Sequence, residues 1–235
     1  LDRVKPNARF VDPADELAHP ERHAFMSRHA RSVRTACLLL GLVAAVCGAL
    51  LFPLAPLIVV AAWAAVLIYG RPRTLGWRPK DVFVLKNLCV AGSAAALSLA
   101  GAAMIHPSAL HEIRPLARLV AWGIVLTLIV FADAVLCDLD DVPGDAPFGT
   151  RTFPVVSGPR MAWRVANICH IVAAVGLSAA ALLGWTTIVT PLLAGWGLLA
   201  TNLLLKFLRP AAVRPWVDLR LGLFGCVAWL TLVVA

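Results

Sequence analysis

The chain reads as an all-α, polytopic membrane bundle of about seven helices, and three observations predict this. Hydrophobic residues make up 60% of the 235 positions and charged residues only 14%, with a mean hydropathy of +0.83. A soluble domain carries about 25% charged residues to keep its surface wet. Apolar stretches recur at about 35–52, 54–70, 88–105, 116–136, 165–183, 186–205 and 217–235, each near the roughly 20 residues needed to cross 30 Å of hydrocarbon. The third observation is the placement of Lys and Arg. With residues 1–34 inside and each span reversing the side, 19 of the 21 fall on inside segments, and only Arg114 and Arg118 lie outside. That asymmetry is the signature of membrane orientation, so the net charge of +8 is read as topology and not as nucleic-acid binding.

Each element follows in order. Residues 1–34 are polar and carry Asp2, Asp12, Asp15, Glu16 and Glu21 with His19, His23 and His29. Pro20-Glu21-Arg22 opens a helix that runs through Phe25 into the first span. His19 and His23 have the i, i+4 spacing of a helical metal pair, but Pro20 starts the helix after His19. A solvated, amphipathic approach to the membrane is therefore expected there, and no zinc site. The Ala- and Gly-rich runs of Ala44 to Ala49, Ala91 to Ala103 and Ala173 to Ala181 suit close helix packing. The six cysteines lie in or beside spans without CxxC spacing, which points to packing and not to a disulfide frame. Alternating segments of about ten residues, as a β-barrel requires, are absent.

The fourth span ends in Cys137-Asp138-Leu139-Asp140-Asp141-Val142-Pro143-Gly144-Asp145. Asp138 and Asp141 share a helical face. Pro143 and Gly144 are expected to turn the chain and fold Asp145 back toward them. Carboxylates this close repel unless a cation lies between them, and oxygen-rich acidic sites are what Mg²⁺ takes. Asp133, within the span, is costly against lipid and should face the bundle interior or a wet cavity.

The run Asp138-x-x-Asp141-x-x-Gly144-Asp145, followed by Gly149-Thr150-Arg151-Thr152-Phe153-Pro154-Val155 and Gly158, resembles the second aspartate-rich motif of UbiA-type intramembrane prenyltransferases. Lys80 through Asn87 is similar to the K-x-x-x-x-x-K-N opening of that family's fifth helix. The resemblance implies a nine-helix bundle in which the seven spans are the third to ninth, two more preceding Leu1, with residues 1–235 forming one domain. It implies Mg²⁺ as cofactor, held by Asp138, Asp141 and Asp145. It implies diphosphate binding by Lys80, Lys86 and Arg151, and a second metal group among Asp2, Asp12 and Asp15. The family's first motif, NDxxDxxxD, is not reproduced in register: with Asp2 as its first Asp, Lys5 and Arg9 stand at the next two, and Asp12 and Asp15 offer a shifted alternative.

The implied reaction transfers a prenyl group from a prenyl diphosphate to a small or lipidic, often aromatic, acceptor. The implied location is a bacterial inner membrane with the acidic loops cytoplasmic. A family member that binds a prenyl lipid or a partner without turnover is the alternative. The CDP-alcohol phosphotransferase pattern D-x-x-D-G-x-x-A-R fails because Val142 follows Asp141. A transporter fails because the charges gather at one face, not at a mid-membrane break.

Overall fold

A computed structural model describes residues 13–71, 76–105, 107–209 and 212–223. Two short helices, α1 (Pro13–Ala18) and α2 (Pro20–Arg28), lead into α3 (Ala30–Leu51). The chain breaks for one residue at His29, whose ring lies 4.7 Å from that of Phe25. Pro53 follows the end of α3, and Pro56 sits in the first turn of α4 (Ala55–Tyr69), where its fixed φ and missing N–H cost nothing. After a 3₁₀ turn at Pro79–Asp81 come α5 (Leu85–Ile105) and α6 (Ile113–Asp145). Then follow α7 (Phe153–Ser157) and α8 (Pro159–Leu182). A wide π-helical segment, Pro191–Gly197, continues into α9 (Leu198–Leu205), and α10 spans 212–223. No strand occurs among the described residues.

Helices α3, α5, α6 and α8 are each long and apolar enough to cross a membrane, while α4 and Pro191–Leu205 are shorter apolar helices. The seventh expected span, 217–235, lies mostly outside the described residues. Apolar side chains of α3 point outward along its length, among them Leu39, Leu40, Val43 and Leu50. In lipid this costs nothing, because hydrocarbon tails are as apolar as leucine.

The central element is α6, flanked by α5 and α8. Its Ala132, Val135, Leu136 and Leu139 form a core with Ala162 and Ala166 of α8, Leu205 of α9, and Val213 and Val217 of α10. Small side chains let these backbones approach. A Cβ on Gly195 would lie 2.8 Å from Ala174 Cα of α8. At 1.5 Å per residue α6 is about 50 Å long, well beyond the roughly 30 Å hydrocarbon layer, so one end stands clear of it.

That end differs from the expected turn. The helix runs through Pro143 to Asp145, and the chain turns only afterwards, at Ala146–Gly149, where Gly149 takes φ 71°. Proline inside a helix costs about 3 kcal/mol. Here the last turn is held from three sides, by α1, by α5 and by α10. Gly144 makes the first of these possible, since a Cβ there would collide with the Ala14 carbonyl oxygen. Gly144→Val should therefore lift α1 from α6 and cost about 1–3 kcal/mol by overpacking. A melt of the purified protein checks this: a midpoint unchanged from wild type would mean that α1 does not dock there.

Candidate metal centre at the end of α6

Because the helix continues, Asp138, Asp141 and Asp145 stand at i, i+3 and i+7 on one face. One carboxylate oxygen from each lies within 4.8 Å of the others. The grouping expected from the sequence is thus present, built by helical spacing and not by a fold-back of Asp145.

Three other elements supply its partners. Val84, with φ 68°, turns the chain into α5, whose first turn brings Lys86 and Asn87 to α6. Lys86 Nζ lies 2.8 Å from Asp138 Oδ1, 3.0 Å from Asp145 Oδ2 and 3.7 Å from Asp141 Oδ2. Asn87 Nδ2 donates to Asp138 Oδ2 at 2.9 Å. From α10, the Arg214 fork donates to both oxygens of Asp141, at 3.0 and 2.6 Å, and to the Cys137 carbonyl at 3.2 Å. From the turn between α1 and α2, His19 Nε2 lies 2.9 Å from Asp141 Oδ1 and 3.5 Å from Asp140 Oδ2. His19 is therefore not on the solvated approach expected from the sequence; the docking of α1 on Gly144 delivers it to the acidic end.

Four carboxylates (Asp138, Asp140, Asp141 and Asp145) outnumber the permanent cations that act on them, Lys86, Arg214 and, near Asp140, Arg22, leaving an acidic remainder. Like charges at this range repel, and a divalent cation would offset that remainder. The donors are hard carboxylate oxygens, which suit Mg²⁺ or Ca²⁺, so the residues present fit such an ion.

The other expected residues are placed as follows. Lys80 lies in the 3₁₀ turn and Arg151 is exposed in the loop between α6 and α7. These two loops are tied together: buried Arg78 donates to Asp81 Oδ1 at 2.9 Å, and Thr150 Oγ1 donates to the same oxygen at 3.3 Å. Phe83 and Phe153 pack beside them with centroids 4.8 Å apart. Asp15 lies in α1, while Asp2 and Asp12 fall outside the described residues. Asp133 is inside the bundle, as expected, paired there with Arg220 of α10.

His19, Arg214 and Arg220 were not expected at or beside the site. Arg214 and Arg220 read as loop cations in the charge tally, and no local signal marks pairs separated by 73 and 87 positions. The one hint was Asp133, whose charge at membrane depth demanded a cation.

The architecture is a bundle of apolar helices centred on one long helix, with a cluster of carboxylates at that helix's end. The model of the UbiA prenyltransferase family matches residues 18–226, and the chain belongs to that family of membrane prenyltransferases. No curated protein and no solved structure matches it.

Proposed function

We propose that residues 1–235 form a single intramembrane prenyltransferase domain. Using Mg²⁺, it moves a prenyl group from a prenyl diphosphate to a small or lipidic, often aromatic, acceptor. The observation that carries this reading is the one-face carboxylate triad of Asp138, Asp141 and Asp145, in a chain of this family.

Transfer requires heterolysis of the allylic C1–O bond, with the electron pair leaving on the diphosphate. The allylic carbon then bonds to the acceptor, which loses a proton. Mg²⁺ held by Asp138, Asp141 and Asp145 would supply Lewis-acid stabilisation of the leaving diphosphate. Lys86 already sits among these carboxylates, where its ammonium would donate to phosphate oxygens. Lys80 and Arg151, on loops tied through Asp81 and Thr150, add positive charge at the mouth. Asn87 and Arg214 hold Asp138 and Asp141 in orientation. Apolar helices around the site exclude water from the allylic cation. A second metal group is assigned to Asp2 or, alternatively, to Asp12 and Asp15, the latter supported by the seating of Asp15's helix on α6. The location in this reading is a bacterial inner membrane, and the charge split supports placing this end on its cytoplasmic face.

A second reading, binding without turnover, draws on the Arg214 fork, which occupies both oxygens of Asp141. Membranes containing the protein, given a prenyl diphosphate, Mg²⁺ and endogenous lipid, separate the two. Diphosphate release with a new prenylated lipid by mass spectrometry, both abolished by EDTA, is expected. Mg²⁺-dependent binding without release would establish the second reading.

A further inference from the structure

Inside the bundle lies a second polar cluster that the proposed reaction does not use. Asp133 of α6, His170 of α8, Asn202 of α9 and Arg220 of α10 are all at least 95% buried. Arg220 pairs with Asp133. It also donates to Asn202 Oδ1 at 2.6 Å and to Thr201 Oγ1 at 2.8 Å. Arginine has only donors, so it fixes the carbonyl side of the Asn202 amide toward itself. The Asn202 amide nitrogen then donates to Asn167 Oδ1 at 2.8 Å and to His170 Nδ1 at 2.9 Å. His170 Nδ1 must accept, so its proton is on Nε2, which lies 3.5 Å from Asp133 Oδ1. The four side chains form a directed series of contacts from Asp133 through Arg220 and Asn202 to His170, whose Nε2 approaches Asp133 without a hydrogen bond.

Such a polar cluster is expensive at membrane depth, and apolar burial gives little orientation among helices in lipid. Its members come from four helices, and one of them is the helix that carries Arg214. Val213, Val217 and Leu221 of α10 pack between α6, α8 and α9 on the side that carries Arg220. A separation of eight positions on α6, from Asp133 to Asp141, is thus matched by one of six on α10, from Arg220 to Arg214. Two ion pairs at fixed spacing define the rotation and height of α10 where packing alone does not.

We propose that Asp133 and Arg220 are positioning residues: their buried pair sets the register of α10 on α6 and so places the Arg214 fork on Asp141. The inference uses the prenyl-transfer reading only for its kinetic arm. In that arm, Arg220→Lys keeps the charge but loses the fork, and the neutral pair Asp133→Asn with Arg220→Gln leaves no lone buried ion. Each should raise the KM for prenyl diphosphate about tenfold in the wild-type background and by less than twofold on top of Arg214→Gln, since coupled residues are non-additive. Equal effects in both backgrounds would overturn the proposal.

The second arm needs no turnover. Cys137 packs against the core that includes Val213 and Val217. With the other five cysteines changed to alanine, its N-ethylmaleimide labelling in the full-length protein should rise several-fold in the neutral pair, while the protein still melts cooperatively. Unchanged labelling would overturn the proposal. Shielding that depends on Arg220 in a protein without turnover would sustain it while removing the prenyl-transfer reading.

Discussion

Asp138→Asn and Asp141→Asn should each lower prenyl-diphosphate turnover by about 10²–10³-fold, the loss typical when one preorganised electrostatic group is removed from a reacting centre. The side chains keep their size and the helix its propensity, so the change isolates one charge. Asp138 is 2% exposed and takes hydrogen bonds or ion pairs from both Lys86 and Asn87. As an amide it would offer one acceptor oxygen and present an NH₂ group to one of those donors. Asp141→Asn weakens both the Arg214 fork, which keeps a longer ion pair to Asp140 at 3.8 Å, and the proposed hold of the cation on the diphosphate. For Asp141 the loss should therefore appear in the KM for the diphosphate as well as in kcat. Diphosphate release from membranes at matched protein levels measures both, and a rate within threefold of wild type in either variant would remove that carboxylate from the proposed site.

Lys86→Met should lower stability as well as turnover, the stability loss shrinking when Mg²⁺ is added. The ammonium lies 2.8 to 3.7 Å from three carboxylates, so without it they repel one another at short range. Breaking a buried pair by deleting one partner costs about 3–5 kcal/mol. The protein should melt well below wild type in EDTA. A divalent cation then replaces the lost charge without competing against Lys86, and ligand binding to the folded state stabilises it. The midpoint gain on adding Mg²⁺ should be larger in Lys86→Met than in wild type. Equal gains in the two proteins would mean that the ion does not bind where Lys86 sits. Turnover should remain low even with Mg²⁺, because the ammonium is also assigned to the diphosphate.

The fold class was legible because membrane helices leave a one-dimensional trace. Hydropathy marks α3, α5, α6 and α8, and the charge asymmetry orders the loops. Asp138 and Asp141 were legible as a pair because helical spacing is local. Asp145 was grouped with them for the wrong geometric reason. Pro143-Gly144 is a turn signal, but tertiary contacts from α1, α5 and α10 carry the helix through it, with Gly144 serving as the seat for α1. His19 illustrates the same limit: the helix does start at Pro20 as expected, while the docking that brings His19 to Asp141 has no trace in its neighbours. Arg214 and Arg220 were hidden because a basic residue near a span end fits the inside-loop pattern equally well. The interior position expected of Asp133 bears on Arg220 alone, and nothing in the sequence marked Arg214.

The central claim is that Asp138, Asp141 and Asp145 jointly hold a divalent cation and a prenyl diphosphate. Calorimetric titration of the purified protein with an unreactive prenyl thiolodiphosphate, with and without Mg²⁺, tests it without requiring the acceptor. Saturable binding that needs Mg²⁺ in wild type and is lost in the Asp138→Ala, Asp141→Ala double variant is the predicted result. Binding of equal strength in EDTA, or retained by the double variant, would contradict it.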